Sequence, residues 1–249
     1  MTSAAGRTLL YLPAFNAAPT LERSLNEVPP GAVDEVLLVD DGSRDGTADL
    51  ARRLGLRVIT HSRNLGYGAN QKTAYREALK REYGLVAMLH PDLQHDGRLL
   101  PSLIGPVREG TCDLVLGTRI RTCAEAIAGG MPLYKYAANR TLSLVQNFAL
   151  GTRISEWHTG YRVYSRRFLQ RVPFELNSDG FLFDSEMLLQ AVMLGFRIGE
   201  VPVPVRYGPG CSSIALRPAS RYALGTLAAV GSCLTHRAGL RTDRRWLPA

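Results

Sequence analysis

Short apolar runs alternate with helix-like segments from the N-terminus onward, and each run ends in a polar loop. The runs are Thr8 to Leu12, Glu35 to Val39, Arg57 to Thr60 and Leu85 to Leu89. Helical stretches separate them: Thr20 to Val28 with Thr20 as N-cap, Thr47 to Leu54, and Asn70 to Arg81. Continuous rather than alternating apolar strands mark a sheet buried on both faces, so the pattern predicts an α/β fold with a mainly parallel, Rossmann-like sheet flanked by helices. Ligands of such sheets bind where the strands end at their carboxyl edge.

Beyond residue 110 the pattern predicts a strand at Asp113 to Gly117, a helix at Tyr134 to Leu150 and a short strand at Tyr161 to Tyr164. A helix at Asp184 to Leu194 and a strand at Ile198 to Val205 follow. No repeat or linker interrupts the 249 residues, which suffice for one domain with a large core. The expected division is a domain at 1–216 and a basic helical extension at 217–249.

Charge is unevenly placed. The formal charge is +8, and the segment from Arg206 onward carries +6 of it, with Asp243 its lone acid. Such a tail suits an anionic membrane surface, a phosphorylated ligand or nucleic acid, or is simply a solvated surface. Aromatic and basic residues are not interleaved as a stacking platform requires, so nucleic acid is not the expected partner. The apolar stretch Tyr222 to Leu234 is too short to span a bilayer, since about 20 residues are needed. Cys112, Cys123, Cys211 and Cys233 show no metal spacing and no secretory signal precedes them, which reads as reduced, mostly buried thiols of a cytoplasmic protein.

Gly66-Tyr67-Gly68 opens like a dinucleotide fingerprint, but Gln71 stands where its third glycine belongs. P-loop, nucleophile-elbow and zincin motifs are absent. Acidic strand ends remain. Asp40-Asp41-Gly42-Ser43 and Asp92 with Gln94 and Asp96 offer oxygen ligands for a hard ion such as Mg²⁺ or Mn²⁺, or else cap helices and tighten turns. For Asp45-Gly46-Thr47 the capping role is the expected one.

The ordered set Pro13-Ala14-Phe15-Asn16, Val39-Asp40-Asp41-Gly42-Ser43-Arg44-Asp45-Gly46-Thr47, Asn64-Leu65-Gly66-Tyr67-Gly68 and Asp92-Leu93-Gln94-His95 resembles the family-2 inverting glycosyltransferases. It is most similar to their polyprenol-phosphate, dolichol-phosphate mannose synthase-like branch. The likeness runs on through Gly117-Thr118-Arg119, Thr159-Gly160-Tyr161-Arg162, Gly180 to Glu186, and Glu200-Val201-Pro202-Val203 with Arg206 and Ser212-Ser213.

The resemblance implies a GT-A fold, a nucleotide-sugar donor carrying UDP or GDP, and a divalent cation, Mg²⁺ or Mn²⁺. It places Pro13, Phe15 and Asp41 around the nucleoside, with Asp41 accepting from the base, and Ala14, Asn16, Asp40, Gly42, Gly66, Lys72 and Pro91 in the same donor site. Asp92 and Gln94 become metal ligands. Arg119, Arg206 and Ser212 or Ser213 handle the diphosphate or an acceptor phosphate. Asp184 or Glu186 is the candidate base for a hydroxyl acceptor, although carboxylates two apart near a helix start also suit its dipole. A polyprenyl phosphate acceptor, already anionic, needs no base. A soluble small-molecule acceptor and a catalytically silent nucleotide-sugar binder are the alternatives.

Two departures stand out. His90 occupies the first acidic position of the usual D-x-D motif, as a metal ligand or as a packed or ribose-facing ring, and Ala17 replaces a usual glutamate. Trp157 and His158 suit either a stacking surface or the core. The expected location is cytoplasmic, with peripheral contact to the inner membrane face through the basic tail, and homo-oligomerisation is open.

Overall fold

The computed structural model describes residues 6–120, 122–204, 206–207 and 216–249, with the side chains of 216–219 left out. Ser212 and Ser213, Cys211 and Val205 lie outside the described residues. Among those described, the strands are β1 (Thr8–Ala14), β2 (Glu35–Asp40), β3 (Arg57–Thr60), β4 (Leu85–Met88), β5 (Leu114–Thr118), β6 (Arg162–Ser165) and β7 (Ile198–Pro202). They form one sheet in the order β3-β2-β1-β4-β6-β5-β7. Only β6 runs against its neighbours.

Alternate residues of each central strand feed two cores. Leu9, Tyr11, Leu37 and Val39 face one; Leu10, Leu12 and Leu38 face the other. That two-sided burial is why the strands read as unbroken apolar runs.

The helices used below are α1 (Ala18–Asn26), α2 (Thr47–Arg53), α3 (Tyr67–Lys80), α4 (Leu100–Arg108), α5 (Cys123–Ala128), α6 (Leu133–Leu150), α7 (Arg166–Arg171), α8 (Phe183–Met193) and α9 (Leu216–Arg237). Thr20 does not cap α1. The helix starts two residues earlier, where Pro19 presets the backbone and Asp45 Oδ2 accepts from Ala18 N–H at 3.0 Å. Thr20 sits inside the first turn, and its hydroxyl donates to the Pro91 carbonyl at 2.5 Å. Asp45 does serve α2, accepting from Thr47 N–H at 3.0 Å.

The C-terminal segment packs into the core. Ala229, Val230 and Cys233 of α9 pack into the first core, and the chain then turns back at Gly239 (φ 72°) to bury Trp246 in the same cluster. Cys112 is half-buried and Cys123 exposed, where burial was expected for most of the cysteines; all three described cysteines are free thiols.

Candidate active site

β1, β2, β4 and β5 point the same way, so the loops after them meet at one rim of the sheet. Backbone donors and short side chains stitch the first two loops together. Asn16 N–H donates to Ser43 Oγ at 2.8 Å, Arg44 N–H to Asn16 Oδ1 at 3.0 Å, and Ala17 N–H to Thr47 Oγ1 at 2.8 Å. The Asp-Gly-Ser-Arg-Asp-Gly-Thr run is therefore a clamp on the first loop. Within that loop Pro13 and Ala14 are buried, while Asn16 (φ 52°) turns the chain and leaves Phe15 about half exposed (53%).

The two aspartates after β2 differ. Asp41 is fully engaged: Oδ1 accepts from Leu65 N–H at 2.9 Å and lies 2.7 Å from His61 Nδ1, and Oδ2 accepts from Gly66 N–H at 3.0 Å. A base placed on Asp41 competes with three donors. Asp40 receives Ser43 N–H on Oδ2 at 3.2 Å, while its buried Oδ1 has no partner.

Gly66 and Gly68 serve close packing. Asp179 O accepts from Gly68 N–H at 2.7 Å and from Ala69 N–H at 3.2 Å, closing the start of α3 with a carbonyl. A Cβ on Gly66 would lie 2.5 Å from that carbonyl, and one on Gly68 would meet Ser178 O. Lys72 belongs to the same seam, donating to Asn177 O at 2.5 Å and pairing with Asp179 at 2.7 Å. A groove of about 660 Å³ opens beside it, between Arg63, Asn64, Arg76 and Asp179.

The loop after β4 carries Pro91, Asp92 and Gln94. Leu93 adopts φ 64°, and Asp92 Oδ1 accepts from Gln94 N–H at 3.0 Å, a tight turn that keeps both side chains on the rim. Gln94 is buried, with Oε1 3.4 Å from Arg119 Nη1. Arg119 itself is held by Glu156, which accepts from its backbone N–H (2.7 Å), Nε (3.1 Å) and Nη2 (2.5 Å). Asn139 Nδ2 donates to the same carboxylate at 3.1 Å. Burial works to depress the guanidinium, but the Glu156 charge outweighs it and holds Arg119 above its ordinary value.

His90 is a packed ring. Its Nε2 lies 2.9 Å from Tyr67 Oη, and a Cβ on Gly160 would sit 2.6 Å from that nitrogen. Burial lowers its affinity for a proton. Tyr67 donates onward to Asp184 Oδ2 at 2.9 Å, and Gln71 Nε2 donates to Oδ1 at 2.9 Å. Arg162, fully buried, stands 3.9 Å from Asp184 Oδ1. Asp184 thus joins the rim through Tyr67 and His90.

Glu186 does not. Two residues along α8 it faces the C-terminal segment, accepting from Ser178 N–H at 2.6 Å and pairing with Arg245 at 2.9 Å. Burial raises its carboxyl above the ordinary value despite that pair. Arg206 sits further out, between Glu27 (2.8 Å) and Asp96 (2.5 Å). Trp157 is buried in the core with Nε1 on Asn147 Oδ1, and the half-buried His158 meets Tyr222 Oη through Nδ1 at 2.5 Å.

Sequence reasoning overlooked Glu156, Tyr67 and Gln71 as participants. Glu156 carries no local signal: it stands in the mixed run Arg153-Ile154-Ser155-Glu156-Trp157-His158, and its partner Arg119 is 37 positions away.

Residues 10–173 match the family described as Glycosyl transferase family 2. The chain belongs to that family, and it is a glycosyltransferase. It is 29% identical over 209 residues to the polyprenol monophosphomannose synthase of Mycolicibacterium smegmatis, covering 79% of this chain and 76% of that protein. It is also 29% identical over 209 residues to the undecaprenyl-phosphate mannosyltransferase of Micrococcus luteus, covering 79% and 82%. The solved glucosyl-3-phosphoglycerate synthase from Mycobacterium tuberculosis, in complex with Mn²⁺, UDP and glucosyl-3-phosphoglycerate, superposes with a TM-score of 0.70. That alignment covers 97% of this chain and 83% of the neighbour at 21% identity, and the shared architecture is the GT-A fold.

The donor set on the rim suits a hard divalent ion. Asp92 and Gln94 present a carboxylate and an amide oxygen, and among the described residues no group of three His, Cys, Asp or Glu side chains forms an all-protein cage. Mg²⁺ and Mn²⁺ favour such a partial shell, completed by substrate phosphates and water.

Proposed function

We propose that this glycosyltransferase moves a sugar from a UDP- or GDP-sugar to a polyprenyl phosphate, with inversion, using Mg²⁺ or Mn²⁺ held through Asp92 and Gln94. The carrying observation is the join between the metal-motif loop and the Arg119–Glu156 pair through Gln94. It sets a fixed cation beside oxygen ligands on the rim where Asp40 keeps a buried acceptor without a partner. When bound, the ion supplies positive charge to the diphosphate leaving group.

The chain's own residues do the rest. The loops at Pro13–Asn16 and Asp40–Gly42 receive the nucleoside. Arg119 needs no reorganisation as negative charge grows on the diphosphate, because Glu156 already fixes its guanidinium. Both oxygens of Asp184 accept hydrogen bonds, so it is poorly placed as a free base. A phosphate acceptor needs none: its oxygen attacks the anomeric carbon as the bond to the diphosphate breaks. Two relatives named for polyprenol and undecaprenyl-phosphate substrates support that acceptor.

The test is to incubate the chain with UDP- and GDP-sugars, Mn²⁺ or Mg²⁺, and a short-chain polyprenyl phosphate in detergent. Metal-dependent release of nucleoside diphosphate with formation of a glycosylated lipid phosphate is expected, and Asp92→Asn should slow turnover by about a hundredfold or more at unchanged fold. Transfer only to hydroxyl acceptors would refute the acceptor assignment. Full activity of Asp92→Asn would refute the metal assignment.

A further inference from the structure

Helix α6 is built inside out. The side it turns inward carries buried Ser143 and Gln146, with Leu150 at its end in the core, and neither polar atom of the Gln146 side chain has a partner. The side it turns outward carries Tyr134, Leu144, Val145 and Phe148, with Phe148 94% exposed. The spacing 134, 137/138, 141, 144/145, 148 is one continuous helical stripe, and Ala137, Ala138 and Thr141 between the larger residues are exposed too. An apolar stripe of this length in water marks an interaction surface. Helix α9 packs alongside and adds Leu224 and Leu227, both exposed.

Charge identifies the occupant. Neither α6 nor α9 contains an aspartate or glutamate, whereas Lys135, Arg140, Arg217, Arg221 and Arg237 lie on them. A hollow of about 340 Å³ brings Arg140, exposed Arg153 and Ser155 together beside Leu144 of the stripe. Cations around an apolar helix face are the pattern of a segment lying in the plane of an anionic bilayer. Two copies of this chain meeting face to face would instead oppose arginine to arginine with no carboxylate on either helix to offset them.

We propose that the outer face of α6, extended by α9, docks on an anionic phospholipid surface. This deepens the polyprenyl-phosphate reading and rests on it for its purpose, since such an acceptor resides in the same bilayer. The opposite side of α6 reaches the active site through Asn139, which donates to the Glu156 carboxylate that fixes Arg119. Docking along the stripe therefore sets the rim close to the lipid headgroups. The surface takes in α9 of the basic segment but not its end: Arg245 and Asp243 pair with each other, and Arg245 also with buried Glu186, beside buried Trp246.

Co-sedimentation of the full chain with vesicles of equimolar phosphatidylcholine and phosphatidylglycerol, without donor or acceptor, tests the proposal. Binding that weakens with added salt is expected, with little on phosphatidylcholine alone. Phe148→Asp, and separately Arg153→Glu, should each lower partitioning about tenfold. Both side chains are exposed, so thermal melting should stay unchanged; a variant that melts early is replaced by Leu144→Asp. Equal partitioning of wild type and variants would overturn the proposal. So would a wild-type dimer in sedimentation that Phe148→Asp splits while vesicles bind nothing. Failure of the acceptor reading is seen separately, as absent transfer to short-chain polyprenyl phosphate in detergent, where Phe148→Asp should turn over like wild type if docking is its role.

Discussion

Replacing Glu156 with glutamine keeps the shape of the side chain and removes its charge, which isolates what that carboxylate does for Arg119. Glu156 is fully buried and accepts from Arg119 through the backbone, Nε and Nη2, and from Asn139. A glutamine retains one acceptor oxygen but turns an NH₂ toward donors. Removing one partner of a buried pair costs about 3–5 kcal/mol, and the retained oxygen puts Glu156→Gln near ~3 kcal/mol. At roughly 2–4 °C per kcal/mol for a domain of this size, the melting temperature should fall by about 6–12 °C. In urea the midpoint should drop at unchanged slope. The pH dependence is a second readout. Burial works to raise the Glu156 carboxyl, the Arg119 charge and hydrogen bonds outweigh it, and the net shift is downward. A depressed carboxylate contributes stability that is present above the ordinary range near ~4.3 and is lost as pH falls through the lower folded value. Glu156→Gln should remove that component and flatten the acid limb of the stability curve. A variant melting within about 2 °C of wild type, with an unchanged acid limb, would refute the claim that this carboxylate fixes Arg119.

Two further outcomes test the C-terminal segment and the core. Trp246→Ala should destabilise by about 3–5 kcal/mol, measured by urea unfolding, because the ring is 2% exposed within the first core; a loss under 1 kcal/mol would mean the segment is not docked in solution. His158, half-buried against Tyr222 with its Nε2 enclosed, is pushed down to about 4 by desolvation, so the unfolded chain binds its proton first as pH falls. Stability from this group is therefore full above the ordinary histidine range near ~6.5 and declines toward pH 4, and imidazole resonances of His158 in NMR should stay neutral across that window.

What the sequence disclosed and what it withheld divide along distance in the chain. Strands buried on both faces announce themselves locally, so β1 to β5 were readable within a residue or two, and so were the loops at their ends. Partners are another matter. Gln71 and Asp184 are 113 positions apart, Arg119 and Glu156 are 37 apart, and nothing in either neighbourhood names the other. Thr20 misled because a good capping side chain stood near a helix start that Pro19 and Asp45 had already set from elsewhere. Gly66-Tyr67-Gly68, set aside as a dinucleotide fingerprint because Gln71 stands where the third glycine belongs, has its glycines for the Ser178–Asp179 backbone, which packs on the start of α3.

The arginines carry this contrast into mechanism. Both described arginines expected to meet phosphate arrive already paired, Arg119 with Glu156 and Arg206 with Glu27 and Asp96. The pairs are not equivalent. Glu156 is sealed and holds Nε and Nη2 of Arg119, while Nη1 makes only a long contact to Gln94 Oε1 at 3.4 Å, so Arg119 is a stationary charge and the Gln94 contact is the one a ligand displaces. Arg206 is partly exposed, with both carboxylates on its terminal nitrogens; the partly exposed Glu27 pair is worth about 1 kcal/mol or less, while Asp96 is buried. A phosphate that recruits Arg206 must displace a carboxylate, and the low cost of displacing Glu27 makes it the arginine able to move between partners during a catalytic cycle. Substitution should separate the two: Arg119→Lys, which loses the planar fork, should lower kcat, whereas Arg206→Lys should act mainly on KM for the phosphate-bearing substrate. The reverse assignment in steady-state kinetics would show that burial is not what distinguishes the fixed charge from the mobile one.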